Sequence, residues 1–88
     1  MTKAHKEFYE CAEKRCMKMR GAFRSLGLAM LKSMKDDLRR AELYEIAEGK
    51  KSEKRSDHIK SAVKLYDRIM KIPTDGTVRA ETCNIEYR

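Results

Sequence analysis

Apolar residues recur every three or four positions along most of this 88-residue chain, which is the spacing of one face of an α-helix. The clearest case lies in the second half, where a narrow apolar stripe alternates with charged positions. This stripe consists of Ile59, Ala62, Val63, Tyr66, Ile69 and Met70. Because the residue before a proline disfavours the helical conformation, the pattern predicts an amphipathic helix that ends before Pro73.

A second stripe starts behind Thr2, a residue type that caps helix starts, and keeps its phase into the middle of the chain. Its members are Ala4, Phe8, Ala12, Cys16, Met19, Phe23, Leu26 and Met30. We predict either one long helix to about Glu48 or a first helix of about 22 residues that turns near residues 25–27. The unbroken phase favours the long helix. Gly49 predicts a helix end, because glycine adopts the left-handed conformation found there.

These patterns predict an all-α protein in which residues 1–76 form an antiparallel helical bundle of two long or three helices. The core is expected to contain Phe8, Ala12, Cys16, Met19, Phe23, Leu26, Met30, Leu38, Tyr44, Ile59, Val63, Tyr66 and Ile69. Residues 77–88 are predicted to form an extended C-terminal segment, with a short β-strand, a frayed tail or a short helix as open alternatives. A lone strand either pairs with a second copy, adds to the sheet edge of a partner, or packs as an extended arm along the helices. The predicted contacts with a partner or within an oligomer are therefore Cys83, Ile85 and Tyr87.

The stretch from Ala41 to Pro73 resembles a single tetratricopeptide-repeat unit. The resemblance lies in AELYEIAE in a first helix, SAVKLYDRIMKI in a second helix and the proline that follows them. It covers about a third of the chain, and no second copy is found in the N-terminal half. The resemblance implies a helical hairpin that binds proteins.

Charge adds a candidate binding surface, because the formal net charge of +7 is unevenly distributed. Residues 14–35 contain seven basic residues and no acidic residue. We interpret this segment as a helix with one apolar and one positive face. The positive face is either a solvated surface or a contact surface for phosphate groups or an acidic protein. The predicted contact residues are Lys14, Lys18, Arg20, Arg24, Lys32 and Lys35.

No arrangement of residues suggests catalysis, a cofactor or a metal site. Cys11 and Cys16 lie about 140° apart on a helix, and neither histidine, His5 or His58, completes a zinc-type spacing with them. Asp36 and Asp37 diverge on a helix because they are adjacent. We therefore expect a protein that is not an enzyme and binds neither a metal nor a cofactor.

The odd number of cysteines, three, together with the lack of a signal peptide, predicts free thiols in a reducing cytoplasm. No apolar run approaches the length of a membrane span. A short free-standing chain without recognisable motifs is also typical of phages and mobile elements, which is the origin we expect.

The predicted function is that of a small basic binding protein that docks on a larger protein or nucleoprotein complex, as an accessory protein or an inhibitor. The first alternative is direct binding of nucleic acid through the basic face of residues 14–35, with a homodimer as one form of it. The second alternative is a structural component that assembles into a homo-oligomer.

Overall fold

The computed structural model describes residues 2–74, and these form three α-helices packed as an antiparallel bundle. The helices are α1 (Lys3–Met17), α2 (Gly21–Glu48) and α3 (Glu53–Lys71). Helix α2 packs against both of the others, and its contact with α3 is the more extensive. The predicted all-α bundle is thus confirmed, with three helices. The predicted C-terminal arm, residues 77–88, lies outside the described residues, as do the contacts predicted for Cys83, Ile85 and Tyr87.

The ends of the helices lie mostly where local sequence features predict them. The side chain of Thr2 accepts a hydrogen bond from a backbone N–H in the first turn of α1. Gly49, with φ of +89°, terminates α2. The hydroxyl of Ser52 caps α3 and donates to the carboxylate of Glu48 at 2.6 Å. Helix α3 ends before Pro73, as predicted.

The break between α1 and α2 lies at residues 18–20, so the favoured prediction of one long helix is wrong. The alternative turn near residues 25–27 is also misplaced, because these residues lie within α2. At the true break Arg20 is extended and Gly21 has φ of +57°, a conformation that glycine tolerates. The break does not interrupt the three- and four-residue spacing of the apolar stripe in the sequence, because a connection of three residues is close to one helical turn of about 3.6 residues.

The core lies between the three helices, and Phe8 of α1 stacks on Tyr66 of α3 with ring centroids 4.8 Å apart. Most of the predicted core residues are buried or half-buried. Phe23 and Leu26 are the exceptions, because 50% and 49% of their surfaces are exposed. The buried apolar side chains are Phe8, Cys11, Ala12, Cys16, Met19, Leu31, Met34, Leu38, Ala41, Ala62, Tyr66, Ile69 and Ile72.

Helix α3 covers only part of α2. The two helices run antiparallel from the loop that joins them, where Ser52 bonds to Glu48. Further along, Ser61 donates to Asp37 at 2.7 Å. Each residue of an α-helix advances the chain by about 1.5 Å, so equal numbers of residues on the two antiparallel helices span equal lengths. Counted from the pair Asp37 and Ser61, the last turn of α3 therefore lies beside α2 near Gly27. The residues of α2 before that level have no neighbour on α3.

Helix α1 ends at the same level. A Cβ atom added to Gly27 would lie 3.2 Å from Sγ of Cys16, in the last turn of α1. The first two turns of α2, residues 21–26, therefore project beyond both neighbouring helices, and every one of these residues is exposed. This projection is the reason that Phe23 and Leu26 are not part of the core. We refer to residues 21–26 as the protruding end of α2.

Candidate partner-binding surface

Large apolar side chains are exposed around the protruding end of α2. Met17 at the end of α1 is 60% exposed, and Leu28 in the next turn of α2 is 43% exposed. Phe23 and Leu26 lie between them in the chain and are about half exposed. Exposed apolar clusters that are bordered by polar residues commonly mark interaction sites. We call Met17, Phe23 and Leu26, together with Lys18, Arg20 and Arg24, the corner surface.

The two sides of the protruding end differ in character. At 100° per residue, Phe23 and Leu26 lie about 60° apart, and Met30 falls between them one to two turns further on. Leu28 and Arg24 lie on another side of the helix. The side that carries the Phe23 stripe has no charged residue through the first half of α2, although 40% of all residues in the chain are charged. Its members are Ala22, Phe23, Leu26, Ala29, Met30 and Ser33.

Positive groups lie at the turn that precedes the protruding end of α2. The guanidinium of Arg24 donates to the carbonyl oxygen of Met17 at 2.9 Å and so spans the turn between α1 and α2. An open cleft of about 330 Å³ is lined by Met17, Lys18, Met19, Arg20 and Arg24. Helix α2 has no side-chain cap and no acidic residue in its first turn. Its N-terminal N–H groups therefore add positive potential to the same place.

The six basic residues predicted as a contact surface do not share one helix, because the turn at residues 18–20 divides them. Lys14 is exposed on α1, whereas Lys18 and Arg20 belong to the turn. On α2 the remaining three residues fall within a sector of about 80°. They are Arg24, Lys32 and Lys35. The prediction of a single amphipathic helix over residues 14–35 is therefore wrong, and the basic groups occupy three separate positions.

Lys35 also has a role inside the bundle. Its Nζ atom lies 5.7 Å from the ring centroid of Tyr9 on α1, a cation–π distance. The side chain is half-buried, in contrast to the exposed Lys32. Part of the predicted basic face thus joins α1 to α2.

A polar cluster joins α2 to α3. One carboxylate oxygen of Asp37 lies 3.1 Å from Nδ1 of His58, and the other accepts the hydroxyl hydrogen of Ser61 at 2.7 Å. The ring of His58 also stacks on Tyr44, with centroids 5.6 Å apart. Because Ser61 donates to the carboxylate rather than to the imidazole, the cluster lacks the contact between nucleophile and base that hydroxyl activation uses. Its geometry is that of a link between two helices.

This cluster is not among the sites predicted from the sequence. The three-residue spacing of His58 and Ser61 places both on one face of α3, which is a signal that the sequence does contain. Their partner Asp37 comes from another helix, and its position depends on the register between α2 and α3. No local pattern specifies that register.

His5 is a second polar residue inside the bundle, and the core predicted from the sequence does not include it. Its side chain is fully buried within the bundle. Desolvation lowers the pKa of His5, while Glu42 and Glu45 act in the opposite direction and Arg55 adds to the lowering. Burial therefore favours the neutral imidazole.

The cysteines differ from one another. Cys16 is a free thiol in the core, and burial, with a smaller effect of Glu13, raises its pKa and keeps it protonated. Cys11 is disulfide-bonded, so the expectation of free thiols is wrong for this residue. The number of cysteines and their spacing do not reveal which sulfur atoms a fold brings together.

The described part of the chain offers no metal site and no membrane span. Within residues 2–74, no group of three or more His, Cys, Asp or Glu side chains is arranged to hold a metal ion. None of the three described helices is long and apolar enough to cross a membrane.

No protein-family model, curated protein or solved structure matches this chain. Function is therefore inferred from the surface of the fold. Among residues 2–74, the packing of the three helices leaves large apolar side chains exposed at the corner surface, at Leu28 and at the pair Leu43 and Ile46.

Proposed function

We propose that this is a non-enzymatic binding protein that docks through its corner surface on a larger protein or nucleoprotein complex, as an accessory protein or an inhibitor. The supporting observation is that Phe23 and Leu26 are half exposed on a helix end that projects from the bundle. Apolar side chains surrounded by cations are a common composition for the centre and rim of a protein interface.

The apolar groups are expected to supply most of the affinity. Burying the exposed half of a Phe or Leu side chain contributes about 1 kcal/mol each. An exposed ion pair contributes roughly 0–1 kcal/mol. The cations Lys18, Arg20 and Arg24 then mainly accelerate association and orient the partner.

Site-specific crosslinking tests this proposal. A photoreactive residue in place of Phe23 is expected to crosslink a defined protein in the native cell, whereas the same residue in place of the exposed Lys60 on α3 is not. The crosslinked protein is then identified, purified and titrated against the wild-type chain. The double variant Phe23→Ser/Leu26→Ser should weaken binding by about tenfold or more.

A matched control lies on the other end of the same helix. Leu43 and Ile46 are 65% and 77% exposed, so Leu43→Ser/Ile46→Ser removes two apolar side chains without disturbing the core. The control should bind like the wild type. Binding that is unaffected by Phe23→Ser/Leu26→Ser but lost in the control would exclude the corner surface.

Direct binding of nucleic acid is the second candidate, because Arg24, Lys32 and Lys35 share one sector of α2. Binding to mixed-sequence duplex and single strands at about 50 and 200 mM salt tests it. About six phosphate contacts would cost roughly a thousandfold in affinity over this range. Tight binding that persists at the higher salt and is lost in Arg24→Glu/Lys32→Glu would support this function. Binding that does not depend on salt, or that Arg24→Glu/Lys32→Glu leaves unchanged, would exclude it.

Homo-oligomeric assembly is the third candidate, and the exposed pair Leu43 and Ile46 favours it. Sedimentation at increasing protein concentration tests it. An oligomer that dissociates in Leu43→Ser/Ile46→Ser would support an assembly function. A monomer at all concentrations would exclude it.

We also propose that the protein is located in the cytoplasm. The free thiol of Cys16 is compatible with it, while the disulfide at Cys11 counts against it, because disulfides are uncommon in the cytosol. Fractionation of native cells tests the location, and recovery from an oxidising compartment would overturn it. The expected origin in a phage or mobile element stays a prediction.

A further inference from the structure

A straight stripe of side chains runs along the outer side of α2. It contains Leu28, Lys32, Arg39, Leu43 and Ile46, and all five are exposed. At 100° per residue these positions fall within a sector of about 60°, roughly 120° around the helix from its buried side. From the first to the last they extend over about five helical turns, or roughly 27 Å. We refer to these five residues as the outer stripe.

Apolar and positive side chains are direct neighbours in the outer stripe. Residues four apart on a helix lie next to each other on its surface, so Lys32 lies beside Leu28, and Arg39 lies beside Leu43. Ile46 follows Leu43 by three residues and is its other neighbour. Leu43 and Ile46 are 65% and 77% exposed, more than any other large apolar side chain of residues 2–74. The outer stripe therefore has cations in its middle and apolar groups at its ends.

The two cations of the outer stripe are not used by the bundle. Within residues 2–74, neither Lys32 nor Arg39 forms a hydrogen bond, an ion pair or a cation–π contact. Lys35, on the border of the stripe, differs from them because its ammonium group lies over the ring of Tyr9. The charges of Lys32 and Arg39 are thus available to carboxylates of another molecule.

The acidic residues of α2 lie mostly on other sides of the helix. Asp37 and Glu45 pair with side chains of α3, at 2.7 Å and 3.6 Å. Glu48 accepts a hydroxyl hydrogen from the loop before α3, and Glu42 is half-buried. Only Asp36 is an exposed carboxylate on the border of the outer stripe, among the five acidic residues of this helix. The packing of α2 therefore leaves a positive outer stripe on a segment whose sequence is largely acidic.

We infer that the outer stripe binds an acidic amphipathic helix of a partner protein. A helix fits because the stripe is straight and has the three- and four-residue spacing of a helix-packing ridge. Carboxylates in the middle of the partner helix complement Lys32 and Arg39, and its apolar residues cover Leu43 and Ile46. The outer stripe shares no residue with the corner surface, so this inference goes beyond the proposed docking function and does not depend on it.

Other occupants fit less well. If the outer stripe paired with that of a second copy about a two-fold axis, Lys32 and Arg39 would meet the same cations of the other copy, which costs binding energy. Nucleic acid would contact only two cations in the stripe. It would also leave the apolar surface of Leu43 and Ile46 against phosphate groups. A helix with carboxylates between apolar residues complements both components.

Selection from a displayed library of random peptides, each about 18 residues or five helical turns long, tests the inference on the full-length chain. The peptides that matter bind the wild type but not Leu43→Ser/Ile46→Ser. We expect them to carry a net negative charge and apolar residues three or four positions apart. We also expect them to become helical when they bind, which circular dichroism measures.

Charge reversal tests the role of the two cations. Each selected peptide is titrated against variants of the full-length chain. Lys32→Glu/Arg39→Glu should weaken binding by about tenfold or more. Lys60→Glu/Lys64→Glu, the same charge change on exposed positions of α3, should leave binding unchanged.

Several outcomes would overturn the inference. Peptides that need Leu43 and Ile46 but carry no negative charge, or that bind the two charge-reversed variants equally, would exclude an acidic partner. Peptides that bind without becoming helical would exclude a helical one. A selection that yields no peptide dependent on Leu43 and Ile46 would exclude the outer stripe as a binding site.

Two further outcomes would assign the outer stripe to another occupant and so overturn the inference. One is a wild-type dimer in sedimentation that dissociates in Leu43→Ser/Ile46→Ser. The other is displacement of the selected peptides by mixed-sequence duplex DNA at about 150 mM salt. The corner surface keeps its separate test in each case, because Phe23→Ser/Leu26→Ser changes no residue of the outer stripe.

Discussion

A Cβ atom added to Gly27 would lie 2.5 Å from Sδ of Met19, so the turn between α1 and α2 packs on α2 where that helix has no side chain. Met19 is 1% exposed and fills this position. The contact holds the turn, with Lys18 and Arg20 on either side of Met19, against the body of the bundle. It therefore positions the cations of the corner surface.

Replacing Gly27 by alanine should destabilise the protein. Alanine is favoured over glycine in a helix by about 1 kcal/mol, but overpacking a filled core costs about 1–3 kcal/mol. We expect a net loss of about 1 kcal/mol in the free energy of unfolding, measured by urea denaturation. Ser25→Ala, at an exposed position of the same helix, should be neutral or slightly stabilising.

A double-mutant cycle with Met19→Ala separates the two effects. Met19→Ala alone should cost about 2–5 kcal/mol, because it empties a core position. In that background only Sγ of Cys16, at 3.2 Å, stays close to the added Cβ atom, so Gly27→Ala should be less destabilising than in the wild type. If Gly27→Ala is destabilising to the same extent in both backgrounds, the clash with Met19 is not its cause.

The hydrogen bonds of Asp37 to Ser61 and His58 should contribute to stability. Asp37→Ala leaves both partners on α3 without their acceptor, and we expect a loss of about 1–2 kcal/mol. Asp36→Ala changes the neighbouring exposed carboxylate and should stay within about 0.5 kcal/mol of the wild type. If both variants lose the same free energy of unfolding, the hydrogen bonds between α2 and α3 contribute nothing beyond the effect of removing one negative charge.

Arg15 should stabilise the end of α3. Its guanidinium donates to the carbonyl oxygens of Met70 and Ile72 at 3.3 and 3.2 Å. Because these bonds satisfy carbonyl groups at the C-terminus of a helix, Arg15→Met should lower the free energy of unfolding by about 1–2 kcal/mol. The neighbouring Lys14→Met removes a charge from an exposed position and serves as the control. If both variants unfold at the same temperature as the wild type, the prediction is contradicted.

Stability should fall on acidification because His5 is buried. Burial lowers its folded-state pKa below the ordinary value of 6.5, so the unfolded chain binds a proton before the folded protein does. The free energy of unfolding should therefore decrease as the pH falls from neutral through 6.5 and below. Urea denaturation across this range should show a smaller decrease in His5→Leu. The nearby Glu42, Glu45 and Arg55 are present in both the wild type and His5→Leu. If the free energy of unfolding decreases equally in the two proteins, groups other than His5 cause the pH dependence.

Many residues of the candidate surface can be predicted from the sequence, but their arrangement in three dimensions cannot. The acid-free segment is visible in the sequence, and Lys18, Arg20 and Arg24 were singled out from it. Phe23 and Leu26 were assigned to the core because their spacing matches that of buried residues. Periodicity identifies the apolar side of a helix, but it does not tell whether a neighbouring helix is long enough to cover it.

Local features of the sequence are enough to predict that residues 2–74 are mostly helical and where most of the three helices begin and end. Capping by Thr2, the positive φ of Gly49 and the restriction imposed by Pro73 act over a few residues, so they can be recognised without a structure. The packing of the three helices, in contrast, lets α2 extend beyond its neighbours and expose Phe23, and it brings Asp37 to Ser61. Those features depend on the register between helices, which the packing of the whole core sets and no single segment encodes.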